Sequence, residues 1–439
     1  MTVQAGIRAI VVDIAPTHQQ EAANAWMIRS SGLGNILGYL AGMVRLPNYF
    51  PFLGDSQFKV LCAIASFILA LTVAISCAAV RERDPRWDGT PATQDGVIAF
   101  FKSLGQSIRK LPLQIRRVCE VQFFAWIGWF PFLFYISTYV GQIYANPFFE
   151  ENPDLPPERI DEIWEEATRV GTQALLIFAF TTFAASVFLP FIIPPTYDAP
   201  RDDPATPGAV TPKTPMTPTT PHSVTGGSYF SFVPTPASAA RKLKPQTFLE
   251  RLSAYADMLQ IQSLTLRRAW MLSHLLFAVL MWLTFLVRNT FTATLLVALI
   301  GIPWALTNWA PFALLSSEIS KRDAMRRGFL PPAPSDDMEE DEGDDQAGVI
   351  LGIHNVAIAA PQVIATLVSS GIFNVLQKPR GKPNDDSVEW VLRFGGTCAV
   401  VAAYMTLRVK EERKEDVLGE LGIPRERQRR SSSNSSSDE

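Results

Sequence analysis

A small set of polar side chains stands in apolar surroundings along this sequence, and their types set the chemistry on offer. Arg8 interrupts Val3 to Ile14, a largely apolar fragment with Asp13 near its end. Arg29 precedes Ser30 and Ser31 near the start of a longer apolar run. A charge at a bilayer centre costs roughly 2.5–3.5 kcal/mol on insertion scales, so such residues usually face a partner or a watery cavity. An arginine there can donate to ligand oxygens or pair with an acid, and a carboxyl in low dielectric can carry a proton. The plainer readings are snorkelling of Arg8 and Arg29 to the membrane surface, and an exposed N-cap for Asp13. Asn35, Gln122, Asn308, Asn355 and Gln362 lie within apolar runs. Each amide offers donors and acceptors, which suits sugar hydroxyls or a hydrogen bond between helices. Trp126 and Trp129 can stack on a sugar's apolar face or pack in a core. Arg169 opens one run, and Arg393, inside the last, reads as a side chain snorkelling at the outer edge.

Signatures of soluble enzymes are missing. The sequence holds no HExxH, P-loop or GxSxG, so it does not read as an enzyme. His18, His222, His274 and His354 are scattered and suggest no metal cluster, and no cofactor is expected. The 4 cysteines form no CxxC pair and read as small apolar residues. With 39 basic against 42 acidic residues the chain has no field for nucleic acid.

The elements that would position these residues are membrane helices. Of 439 residues 48% are hydrophobic and 18% charged, and the charge is uneven. Runs of about 20 apolar residues, the length of a membrane helix, recur. Eight full spans are expected at 22–44, 60–80, 121–143, 170–195, 269–287, 290–315, 347–376 and 390–407, after the short fragment. They lack the alternation of a barrel, so each must satisfy its own backbone as a helix. Gly32, Gly34, Gly38 and Gly42 recur at two- to four-residue spacing, which suits close helix packing. Pro303, Pro311 and Pro361 interrupt helices, as in transporter bundles. Arginines and lysines gather at the span ends on one side, which places both termini in the cytoplasm. Positions 97–111 read as an amphipathic helix along the inner membrane surface. Asp198 to Gln246, rich in Thr-Pro steps, reads as a solvated linker open to a proline-directed kinase. The acidic run Asp336 to Asp345 reads as a loop, and the Ser-rich tail from Ser431 as a second kinase target.

Several motifs resemble those of sucrose transporters. VQAGIRAIVVD (Val3 to Asp13) and NAWMIRSSGLGNILGYLAG (Asn24 to Gly42) resemble their fourth and fifth helices. WIGWFPFLF (Trp126 to Phe134) resembles the seventh, and RVG (Arg169 to Gly171) the start of the eighth. GIPWALTNWAPFALLSSEI (Gly301 to Ile319) resembles the tenth, and GVILGIHNVAIAAPQVI (Gly348 to Ile364) the eleventh. The chain is thereby similar to the glycoside–pentoside–hexuronide:cation symporters of the major facilitator superfamily, and its Thr-Pro linker to their fungal alpha-glucoside branch.

The resemblance implies an all-α membrane protein of the major facilitator fold. Here it would be N-terminally truncated, with about eight full transmembrane helices and a partial one. Residues 1–80 would be a remnant of the N-terminal half, 81–118 a cytoplasmic link, and 119–409 the C-terminal six-helix half. Loops at 198–246 and 318–346 and a tail at 410–439 would be cytoplasmic. The implied activity is proton-coupled uptake of a disaccharide such as sucrose by alternating access, at the plasma membrane rather than the vacuole. Arg8 matches an arginine of the family's fourth helix, and Asp13 is the nearest acid to serve as proton carrier. Arg8, Arg29, Asn35, Trp129, Asn308, Asn355 and Gln362 are the expected sugar contacts. The alternative is a truncated sensor or scaffold that moves no sugar. Ile136 and Thr138 stand where plant relatives carry two acids after the FPF motif, so coupling would differ in detail.

Overall fold

The computed structural model describes residues 20–79, 105, 108, 111–152, 154–194, 260–261, 263–326 and 346–411. Among these residues every regular element is helical. The longer helices are α1 (Gln20–Met43), α2 (Gln57–Ala79), α3 (Leu113–Glu151), α4 (Pro157–Ile192) and α5 (Leu266–Trp282). They continue with α6 (Thr290–Arg326), α7 (Gln346–Ala359), α8 (Pro361–Leu376) and α9 (Ser387–Thr406). Six stretches are long and apolar enough to cross a membrane, with α7 and α8 counting as one. The expected surface helix at 97–111 and the linker at 198–246 lie largely outside the described residues.

Several helices outrun the apolar spans that foretold them. α4 starts at Pro157, and Pro at N1 costs it nothing because the first N–H groups have no intrahelical partner. Exposed pairs such as Arg159–Glu162 and Arg169–Glu165 then support its first turns ahead of the apolar run. α6 continues past 318 to Arg326, with Arg322 paired to Glu318; the rest of the expected loop lies outside the described residues. The single span expected at 347–376 is two helices that meet at Ala360. Pro361 has no N–H to donate and opens α8.

α3 is the centre of the bundle. It packs against α9, α4, α8, α6 and α7, while α9 also packs on α5, and α6 on α4 and α5. Close approach of α3 and α9 depends on Gly128 and Gly395. A Cβ on Gly395 would lie 2.7 Å from the Gly128 carbonyl oxygen, and one on Gly128 would collide with the Gly395 carbonyl. Gly171 meets Ser137 of α3 in the same way. The core holds Trp129, Phe132, Trp270, Phe277, Ile300 and Leu392.

α1 lies along α4 and α6. Of its four glycines, Gly32 faces Phe183 and Gly42 faces Thr172, whereas Gly34 and Gly38 face open space. Only half of the expected small-residue packing stripe is therefore used within the described residues. Among the described residues, α2 packs on little but the turn that leads to it and the end of α1. The Gln57 amide accepts from Leu46 N–H at 2.9 Å and donates to the Val44 carbonyl at 2.7 Å. Beyond that, Phe67, Leu69, Leu71 and Ile75 are exposed, so α2 presents hydrocarbon to whatever surrounds it.

Candidate functional site

α3 and α6 bring together an aromatic wall. Trp129 is 1% exposed, with its ring 4.0 Å from Phe277 of α5 and 4.9 Å from Trp304 of α6. Trp126, one turn earlier, lies 6.0 Å from Trp304, and Phe178 of α4 approaches Trp304 at 6.3 Å. Trp126 and Trp304 are half-buried, so they present the outer surface of a wall for which Trp129 is the backing. Aromatic faces of this kind suit the C–H faces of a pyranose ring.

The amides follow the same helical register. Asn308 is half-buried one turn after Trp304, and its Nδ2 donates to the Trp304 carbonyl at 2.9 Å. Phe312 follows one turn later, with its ring 4.8 Å from the ring of His354 on α7. On α3, Gln122 precedes Trp126 by one turn and meets His354 Nε2 at 3.4 Å. Pro303 and Pro311 sit in this stretch of α6 and remove two helical donors, which frees carbonyls beside the wall. Several buried polar atoms here have no hydrogen-bond partner among the described residues: Gln122 Oε1, Trp126 Nε1 and Thr307 Oγ1. Each such group costs about 1–3 kcal/mol, an expense natural cores avoid. A ligand with several hydroxyls is the kind of partner they lack.

The other expected contacts are dispersed. Arg29 is half-buried and donates through Nε to the Ser186 carbonyl at 3.3 Å, joining α1 to α4, with its guanidinium 5.0 Å from the Trp26 ring. Asn35 on α1 and Gln362 on α8 are exposed, and Asn355 on α7 is half-buried beside His354. Arg8 and Asp13 lie outside the described residues. Sequence reasoning left Trp304 and His354 off the set of contacts. The i, i+4 spacing of Gln122–Trp126 and of Trp304–Asn308–Phe312 is the signal that finds the face.

Arg393 corrects an expectation. It does not snorkel: it is 3% exposed and turned inward. Its Nε donates to Thr284 Oγ1 at 3.1 Å, its guanidinium lies 3.4 Å from the Phe285 ring, and Glu389 one turn earlier neutralises it. A carboxylate on the same helix face removes the need to reach headgroups. Beyond the other end of α9, Glu411 accepts from Thr265 at 2.7 Å and pairs with Arg267 and Arg268, both at 2.8 Å. Burial by itself raises the Glu411 carboxyl, but these hydrogen bonds and charges outweigh it and hold the group below the usual carboxylate range.

Comparison with known proteins decides the family. No family model matches the chain. A general alpha-glucoside permease of Schizosaccharomyces pombe is 35% identical over 418 residues, which is 92% of this chain and 69% of that protein. The chain belongs to the sucrose/alpha-glucoside transporter family of the major facilitator superfamily. The sucrose transport protein SUT3 of Oryza sativa subsp. japonica is 30% identical over 191 residues, 40% of this chain and 35% of its own length. The MFS-type transporter cctQ of Talaromyces islandicus is 30% identical over 148 residues, 34% of this chain and 54% of its own. The chain thus spans about two thirds of the permease and a third to a half of the others. Members of this transporter family with such names are permeases and transporters, not enzymes, and its helical membrane architecture is the one described above.

Proposed function

We propose that this chain carries sucrose or a related alpha-glucoside across a membrane by proton-coupled symport. The observation that carries the reading is the wall of Trp126 and Trp304 with Asn308 on the next turn. It offers ring faces and an amide in one register, beside buried polar atoms that lack partners among the described residues. The names of the relatives agree with a glucoside cargo. The sugar would bind between α1 and the α3–α6 face near the midplane, and the two sides would open in turn. Asp13 would take a proton from outside, and its neutralisation would favour reorientation with sugar bound. One charge crossing the field gains ~2.3 kcal/mol per 100 mV, enough to drive accumulation. Both termini face the cytoplasm in this reading, and the membrane is the plasma membrane. The Thr-Pro linker and the Ser-rich tail would then be open to kinases.

The test is uptake of labelled sucrose by yeast that lacks its own sugar transport, with this chain and its Asp13→Asn variant. The expected result is uptake that a protonophore abolishes and that Asp13→Asn reduces about tenfold, as for loss of a coupling group worth ~1.4 kcal/mol. Undiminished proton-driven uptake by Asp13→Asn removes Asp13 from the mechanism.

A further inference from the structure

Arg393 keeps a donor in reserve beside a cavity. A guanidinium carries its N–H groups in a planar fork with no acceptor of its own. Here Nε donates to Thr284 Oγ1 at 3.1 Å and Nη2 donates to Glu389. Those are the side chain's hydrogen bonds among the described residues, and they leave Nη1 uncommitted. The residue is nevertheless buried, and it lines a cavity of about 240 Å³. The other walls are Trp282 of α5, Ile372 and Leu376 of α8, and Trp390, Phe394 and Thr397 of α9. The Thr397 hydrogen is spent on the Arg393 carbonyl at 3.1 Å, and the Trp390 N–H on Asp386 at 3.2 Å. A water needs about 2–4 polar partners, and walls this apolar are a poor host for one. The complement of such a cavity is an apolar body that brings a single acceptor.

Charge and position narrow the occupant further. Glu389 already neutralises Arg393, so an anionic group inside the cavity would face that carboxylate; an uncharged acceptor would not. α5 ends at Trp282, α8 ends at Leu376 and α9 begins at Ser387, which puts the cavity at one end of the bundle. Trp282 and Trp390 are 45% and 40% exposed, and Leu283, Phe285 and Leu286 are exposed as well. Indoles gather where hydrocarbon gives way to headgroups, the depth at which the ester carbonyls of a membrane lipid lie. We propose that the cavity binds one glycerophospholipid, with an acyl chain against Trp282, Leu376 and Phe394 and an ester carbonyl that accepts from Arg393 Nη1. The phosphate stays outside, at the aromatic mouth. The lipid fills the gap between α8 and the α5–α9 pair, and no step of sugar transport is needed for it to bind.

The test uses the full chain in phosphatidylcholine nanodiscs that contain a phosphatidylcholine with a diazirine on its acyl chain near the ester. After illumination, mass spectrometry locates the labelled peptides, with the exposed apolar face of α2 as internal reference. The expected result is label concentrated on 282–286, 372–376 and 390–397 relative to α2. Two variants act on different parts of the site. Leu376→Trp fills the cavity. Arg393→Lys keeps a cation for Glu389 but loses the fork that serves three partners at once. Each is expected to cut the cavity label about fivefold relative to α2, the effect of losing one hydrogen bond or the space for the chain. Where the tryptophan variant does not fold, the lysine variant decides. Cavity label no denser than that of α2, or indifferent to the variants, overturns the proposal. Cavity label that falls relative to α2 when cholesterol is added assigns the space to a sterol and overturns it as well.

Discussion

Gly128 and Gly395 hold α3 and α9 at a distance that admits no side chain, which makes both positions sensitive to substitution. Gly128→Ala forces the two backbones apart and is expected to destabilise by about 1–3 kcal/mol, read as a lower melting temperature in detergent. Gly34→Ala is the contrast: nothing lies near its added methyl, and alanine's better helix propensity predicts a gain of up to ~1 kcal/mol. Glu389→Gln leaves Arg393 buried without its counter-charge and is expected to cost about 3–5 kcal/mol in the same assay. Arg393 also marks where single-residue reading fails. Its position in the sequence suggests a rim arginine, but Thr284 and Phe285, which receive it, are over a hundred residues earlier. Gln122 and His354 were equally illegible as a pair, separated by 232 residues. The sequence expectation named Trp129 among the sugar contacts, but the structure buries it at 1% exposure behind Trp126 and Trp304; only the i, i+4 spacing on each helix was legible, because it is local. Glu411 adds a pH prediction. Its lowered folded-state value means its stabilisation is present above the unfolded value of 4.5 and is lost as pH falls through the lowered one. Glu411→Gln should therefore destabilise by about 1 kcal/mol at neutral pH, as for a partly exposed ion cluster, read as a lower melting temperature, and change nothing at strongly acid pH.

Helix existence was readable from the apolar runs, and helix ends were not. The runs record only apolar stretches, whereas α3, α4 and α6 continue beyond them on ion pairs and prolines that carry no hydropathy signal. The break at Ala360 was signalled by Pro361. At this scale the contact of α1 with α6 is the informative one. Asn24 Nδ2 donates to Ser316 Oγ at 3.3 Å in a buried position, beside the Arg29 bond to α4. If α1 and α6 part during each cycle, a short thiol cross-linker between Asn24→Cys and Ser316→Cys, in a background without the 4 native cysteines, should arrest uptake and a reductant should restore it. Uptake unaffected by complete cross-linking would mean that these helices do not separate.

As a whole the chain is a bundle centred on α3, with α1 laid along one flank and α2 exposing apolar side chains. The composition alone foretold a membrane protein, and the motif order foretold the family. The arrangement within the site was not readable, because it is set by which faces of α3, α6 and α7 turn toward each other. The account's central claim is that the Trp126–Trp304–Asn308 face binds and passes a glucoside. The most direct measurement is accumulation of radiolabelled sucrose and maltose by proteoliposomes that contain only this chain, under an inward proton gradient, with Asn308→Ala alongside. The account predicts saturable accumulation that a protonophore abolishes and that Asn308→Ala weakens about tenfold, the loss expected for one or two hydrogen bonds. Sugar entry no faster than into empty vesicles, or an Asn308→Ala chain indistinguishable from the wild type, would contradict it.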